Sequence, residues 1–346
     1  MTEIGKKCQV GQFRKKQSKK YMYKILEEFI ERFKLSPSSS QLSTSTHFIN
    51  GDSNLDQTQV FMYLLLNYMN NVDDIESLGV DKDALKNTSI EDFKISEDLL
   101  RSAWSGFDKG ASPSRKVGDL FWSTLDWKKY KDIKILDIGC GSGGYAKKIY
   151  EWSQGNMKSY TGFDVFPNAK WNDVSQWGKQ NNVDIEFSKI NIDENNIKDF
   201  IPKGTNFFIS QSALEHLKYD LKYFQGVRSF IDSVDYPVTQ VHIFPGSASL
   251  KLFLLHGYRQ YGLNSIAKII RIFRNEKVRL VRMCGDACNE LHYEFITKPL
   301  YVDRAKDRRE TETDLYDKLL FESVIADMNQ EIKNPCFWAM IIESNN

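Results

Sequence analysis

The sequence predicts a doubly wound, mostly parallel seven-stranded α/β sheet behind a mainly helical N-terminal region. Three observations carry this. Short β-rich runs alternate with helical patterns over the second two-thirds of the 346 residues. One apolar strand runs straight into a glycine loop and then a helical segment. Before about residue 115 the apolar spacing is helical instead, at intervals of three and four.

Taken in order, YMYKILEEFIERF (21–33) spaces its apolar residues as one helix face would, and residues 36–59, rich in Ser, Thr, Asn and Gln, form a polar linker. A second helix is predicted over 60–72, and a third from Ser96. This gives a division into a mainly helical 1–115 and a Rossmann-like domain over 116–346. Within that domain IKILDI (133–138), SYTGFDV (159–165), VDIEFSKI (183–190), TNFFISQ (205–211), PVTQVHIF (237–244) and CFWAMIIES (336–344) are strands. The stretches between the first five are long enough for crossover helices, which makes the sheet mostly parallel and covers both faces. Residues 245–300 are assigned to an acceptor-binding insertion.

With 47 basic and 46 acidic residues the net charge is +1, so no bulk field draws in a polyanion and a nucleic-acid partner is not expected. A local exception is the basic run Lys6, Lys7, Arg14, Lys15, Lys16, Lys19 and Lys20, which could touch an anionic membrane surface. No stretch is long and apolar enough for a span, and five scattered cysteines suit reduced thiols, so a cytoplasmic protein is expected. Cys284, Cys288 and His292 resemble a ligand ladder, but their spacing lacks a matched second pair, and no metal site is expected.

The sharpest signal is Ile135-Leu136-Asp137-Ile138-Gly139-Cys140-Gly141-Ser142-Gly143-Gly144. Glycines allow a tight turn and let a ligand lie against the main chain. Gly139, Gly141 and Gly144 also fit the dinucleotide spacing, which alone is weak. The charge of Asp137 decides: a carboxylate at the loop mouth repels a pyrophosphate but attracts the ammonium and sulfonium end of S-adenosylmethionine. Asp164, 25 residues after Gly139 at the end of the next strand, can accept from both ribose hydroxyls.

Through LDIGCGSGG, the strand end GFD and SQSALEHL (210–217), residues 130–245 resemble the class I S-adenosylmethionine-dependent methyltransferases. The resemblance implies that Asp137, Gly139, Cys140, Gly141 and Gly143 hold the methionine part, Asp164 the ribose, and that Val165 packs on adenine. It places Asn191, with Asp193 as the other candidate, beside the adenine amine, and Gln211 beside the donor methyl. Glu215-His216 is a pairing found there in relatives, some of which bind a metal; Ser212 stands where such a site needs its first carboxylate.

Residues 242–273 are rich in side chains that read polar ligands. His242, at a predicted strand end, is the expected general base and His216 the alternative, because an imidazole titrates near neutrality. His256, Tyr258, Arg259 and Tyr261 are expected to position the acceptor. This part resembles methyltransferases of bacterial surface-polysaccharide pathways, which implies O-methylation of a small, polar or saccharide-linked acceptor. N-methylation of a metabolite, or a non-catalytic donor-binding subunit, are the alternatives.

Overall fold

The structure is a computed structural model that describes residues 82–249, 252, 257–303 and 305–345. Its centre is one eight-stranded sheet: β1 Thr88–Asp92, β2 Ile133–Ile138, β3 Met157–Asp164, β4 Asp184–Lys189, β5 Phe207–Gln211, β6 Val238–Pro245, β7 Lys277–Met283 and β8 Phe337–Ser344. Their order across the sheet is β1-β7-β8-β6-β5-β2-β3-β4. Only β8 runs antiparallel, between β6 and β7; every other pairing is parallel. The chain order reverses between β2 and β5, so the carboxyl ends of β2, β3 and β5 open onto a crevice of the kind that takes ligands in doubly wound sheets.

Helices cover both faces. On one face lie α3 (Pro113–Thr124), α4 (Gly144–Trp152), α5 (Trp171–Gln180) and α9 (Thr313–Met328); on the other lie α6 (Asp220–Ile231) and α7 (Leu263–Ile272). Two further helices, α1 (Lys82–Leu85) and α2 (Glu97–Trp104), precede α3, and α8 (Asp286–His292) follows β7. The starts are set locally. Ser96 accepts from Leu99 N at 3.3 Å to cap α2, and Ser112 with Pro113 behind it fixes the first turn of α3. Strand alternation then sorts the core: Ile135, Phe207, Ile209, Val241 and Ile243 pack with α3 and α4, while Leu136, Ile138, Phe208 and Phe244 pack with α6 and α7.

All six strands expected from the sequence form, with ends that differ by at most two residues. The sheet nonetheless has eight strands. β7 lies inside the stretch assigned to an insertion, and β1 inside the region expected to be mainly helical. β1 is the edge strand and β7 its inner neighbour, and both carry charge: Arg279 pairs with Glu91 at 3.2 Å and Arg282 with Asp92 at 2.7 Å, so cross-strand ion pairs stand where apolar groups would mark a strand. The predicted helices over 21–33 and 60–72, the 36–59 linker and the basic run before residue 21 lie outside the described residues. Among the described residues no helix is long and apolar enough to cross a membrane, and no group of three His, Cys, Asp or Glu side chains could hold a metal. Cys284, Cys288 and Cys336 are buried thiols.

Candidate functional site

β2 ends in Asp137 and Ile138, and the chain then turns through Gly139, Gly141 and Gly143 at φ of +70°, +53° and +75°. These are left-handed conformations that a side chain resists. Space explains the outer two: a Cβ on Gly139 would meet Ala213 Cβ at 2.4 Å, and one on Gly143 would meet the Phe187 ring at 2.4 Å. A Cβ on Gly141 would meet nothing within 4 Å. Gly141, itself exposed, thus faces open space. The loop is tied to β3 by Gly139 N and Cys140 N, which donate to Phe163 O at 2.8 and 3.1 Å.

Asp137 is 2% exposed. Tyr160 donates its hydroxyl to Oδ2, whereas Oδ1 is buried with no hydrogen-bond partner. Burial first, and the nearby Asp164 charge after it, push the Asp137 carboxyl up to about 7, although the Tyr160 bond pulls the other way. A buried acid with one unsatisfied oxygen is a costly arrangement in an empty protein, and it is relieved by a cation that reaches Oδ1. Asp164 closes the other side: Oδ2 accepts from Gly141 N at 2.8 Å and Oδ1 from Phe166 N at 3.1 Å. Each oxygen keeps a second lone pair for a hydroxyl donor. Beyond it Val165 and Phe166 are 40% and 67% exposed. Asn191 turns the chain after β4, its Oδ1 accepting from Asp193 N at 3.1 Å, while Asp193 caps the amides of Lys218 and Tyr219 and so faces α6.

Cys140 is 7% exposed, and burial pushes its thiol well up, so it serves as packing in the loop floor. Gln211, at the end of β5, is held from α3: Trp122 donates its indole N–H to Gln211 Oε1 at 2.8 Å, and Gly118 leaves room for the amide. On the same helix Asp119 accepts from Tyr145 at 2.8 Å and from Lys148 at 2.6 Å, fixing the first turns of α4. Sequence reasoning assigned α3 nothing. In the structure almost every residue of α3 from Pro113 to Trp122 is buried.

The acceptor-side expectations fare differently. His242 lies mid-strand in β6, three residues before its end, and is fully buried. It pairs in register with Ser210, so it faces the sheet side opposite Gln211 and Asp137. Its Nδ1 lies 2.9 Å from Ser210 Oγ, the rings of Tyr223 and Phe224 pack edge-on against it, and burial holds its pKa down near about 3. A neutral core imidazole with no path to the crevice is not a general base, and that expectation is corrected. Arg259 is corrected too: it donates to Leu217 O and Lys218 O at 2.6 and 2.8 Å and pairs with Asp220 at 3.2 Å. Tyr261 is fully buried, its hydroxyl 2.8 Å from Asp220 Oδ2 and 3.2 Å from Leu214 O. Both brace the turn that carries His216 rather than reach a ligand. His256 lies outside the described residues.

Of the residues expected to meet an acceptor, His216 and Tyr258 are the described ones not taken up in this way. His216 is half-buried in the 3-10 turn Leu214–His216 that follows β5, and Tyr258 N donates to Glu215 O at 2.6 Å, which lays residues 257–258 across that turn. Ser212, just before it, sits at φ +53°, a strained backbone of the sort that collects at functional sites.

No family profile and no curated protein sequence matches this chain. Among solved structures it is similar to a sarcosine dimethylglycine methyltransferase from Galdieria sulphuraria, at 13% identity and a TM-score of 0.42, over 72% of this chain and 98% of that one. It is also similar to the phosphoethanolamine N-methyltransferase 2 of Haemonchus contortus solved with S-adenosyl-L-methionine, at 14% identity and a TM-score of 0.41; the likeness covers 72% of this chain but 58% of that one. A plantazolicin methyltransferase solved with S-adenosylhomocysteine matches at 15% identity and a TM-score of 0.36, over 79% of this chain and all of that one.

Proposed function

We propose that this protein is an S-adenosylmethionine-dependent methyltransferase of the class I type. The observation that carries the reading is the pair of carboxylates on either side of one open glycine: Asp137, buried with Oδ1 unsatisfied, and Asp164, holding Gly141 N. A ligand with a cation at one end and two vicinal hydroxyls in the middle fits this pair; a pyrophosphate does not. Asp137 would hold the ammonium, Asp164 the ribose, and Val165, Phe166 and Asn191 would flank the base. Bound there, S-adenosylmethionine would supply a methyl group made electrophilic by its sulfonium.

The chain's own contribution is then alignment and proton removal. The reading extends to O-methylation of a small polar acceptor, saccharide-linked by the sequence resemblance, with His216 taking the hydroxyl proton and Tyr258 beside it. The burial of His242 favours a second reading, N-methylation, because a neutral amine attacks without a base and the crevice has lost one of its two expected imidazoles. Calorimetry tests the core of the proposal. S-adenosylhomocysteine should bind at one per chain and NAD should not; tighter binding of NAD would overturn it. A His216→Ala variant that turns over normally would favour the amine.

A further inference from the structure

The glycine loop fixes only part of its own shape. Gly143 N donates to Cys140 O at 2.8 Å and closes a turn over Gly141 and Ser142, but three glycines at positive φ have broad conformational basins, and the Gly141 peptide is held further by contacts from outside the loop. Apart from the Cys140 Sγ at 4.0 Å from Gly141 O, the contacts that do so come from the connection from β3 to α5. Asp164 takes the Gly141 N–H at 2.8 Å, and Trp171, the first residue of α5, donates its indole Nε1–H to Gly141 O at 2.8 Å. The indole is itself held in place. It lies flat on Phe187, with ring centroids 5.2 Å apart and planes 8° apart, and Phe187 fills the space that Gly143 and Gly162 leave by lacking a Cβ.

The two clamps differ in one respect. Asp164 is the group that a ribose would share, so its hold on Gly141 N weakens when hydroxyls compete for its oxygens. The indole bond depends on no ligand. A trans peptide points its N–H opposite to its C=O, so the same bond also turns Ser142 N–H away from Trp171 and sets the peptide that follows the open glycine.

We propose that Trp171 is a positioning residue of the donor site: it latches the Gly141 carbonyl against the Trp171–Phe187 stack, so that the open side of Gly141 stays turned to the ligand whether or not Asp164 is engaged. The inference rests on the proposed donor site and adds to it a residue that touches the loop rather than the reacting atoms. Trp171 is half-exposed, and the core beneath it is the Phe187 ring, so removing the N–H alone leaves the packing in place.

The test is a titration with S-adenosylhomocysteine of the wild-type protein, Trp171→Phe and Trp171→Tyr, paired with apo melting curves. Both variants keep an aromatic ring over Phe187; Phe carries no donor, and Tyr carries its hydroxyl at the para position instead of at the indole Nε1 that points at Gly141 O. The expected result is a Kd raised roughly three- to tenfold in each, the range of one net hydrogen bond, with apo Tm close to wild type. A merely structural tryptophan would lower Tm and leave Kd alone. Wild-type binding with unchanged Kd in both variants overturns the latch and leaves the donor site standing. Absence of binding to the wild-type protein overturns the donor site, and the latch with it.

Discussion

Replacing Asp137 by Asn should make the unliganded protein more stable and weaken its complex with the donor. The carboxyl stands at about 7 instead of 3.8, a shift of about three units, and at 1.36 kcal/mol per unit the buried anion costs roughly 4 kcal/mol above neutrality. An amide carries no such cost. It keeps an acceptor for the Tyr160 hydroxyl but leaves an unsatisfied N–H where Oδ1 was, which returns about 1–3 kcal/mol of the gain. The net expectation at pH 8 is a stabilisation of about 1–3 kcal/mol, or a few degrees in Tm. The sign follows from proton binding. Between about pH 4 and 7 the folded acid holds its proton while the unfolded one has lost it, so wild-type stability falls as pH rises through that window and levels off above it. The variant escapes this fall. The Tm difference between Asn and wild type should therefore widen from pH 4 to 7 and then hold.

Ligand binding runs the other way. An ammonium at Oδ1 needs the anion, so wild-type affinity for S-adenosylhomocysteine should weaken as pH drops below 7, by up to about thirtyfold at pH 5.5, and the pH dependence should vanish in the variant. Loss of the charge-assisted contact should raise Kd by about one to two orders of magnitude at pH 8. Melting curves across pH with and without ligand measure both arms. An Asp137→Asn protein that is less stable than wild type at pH 8 and binds S-adenosylhomocysteine normally would refute the assignment of Asp137 to the cationic end of the donor.

Asp164→Ala should weaken S-adenosylhomocysteine by about 1–3 kcal/mol in calorimetry, since it removes both the ribose acceptor and the clamp on Gly141 N. Gly141→Val should keep a folded protein, because a Cβ there meets no protein atom, at a strain cost of about 1–2 kcal/mol for φ +53°, and abolish binding by filling the open side; circular dichroism beside titration separates the two. His242 and His292, both held near pKa about 3 by burial, bind their proton in the unfolded chain first, so stability should be lost as pH falls from 6.5 towards 3. His242→Gln should flatten part of that acid limb and leave Kd for S-adenosylhomocysteine unchanged. A Kd that rises with His242→Gln would return the residue to the crevice.

The centre of the sheet was legible because its strands are mostly buried and rich in apolar residues, and the glycine loop because only glycine survives where Ala213 and Phe187 close in on it. The sheet's other edge was not. In β7 the residues Lys277, Arg279 and Arg282 interrupt the apolar run, and in β1 Ile90 is the single apolar residue. Neither segment announces a strand until its partner is known, since the ion pairs that stabilise them form only across the ladder. The Trp171–Phe187 stack was hidden for the same reason, being a contact between β4 and the start of α5 that no local pattern encodes.

His242 is the instructive failure, because the information was present. A strand alternates faces, so in β5 Ser210 and Gln211 point to opposite sides, and any residue in β6 level with Ser210 is turned away from a site that uses Gln211. The expectation took the histidine as the end of its strand when Ile243, Phe244 and Pro245 still follow it in pairing with β8. The same buried face shows why Arg259 and Tyr261 look like ligand readers in a sequence. Arg259 and Tyr261 converge on Asp220 and on the carbonyls of Leu214, Leu217 and Lys218, a set of polar groups that any segment crossing the end of β5 must satisfy. The consequence is that the 3-10 turn bearing His216 is braced by Arg259 and Tyr261 through Asp220 and main-chain carbonyls. On the proposed reading, acceptor recognition would then fall to His216 in that turn and to Tyr258, whose N–H donates to Glu215 O.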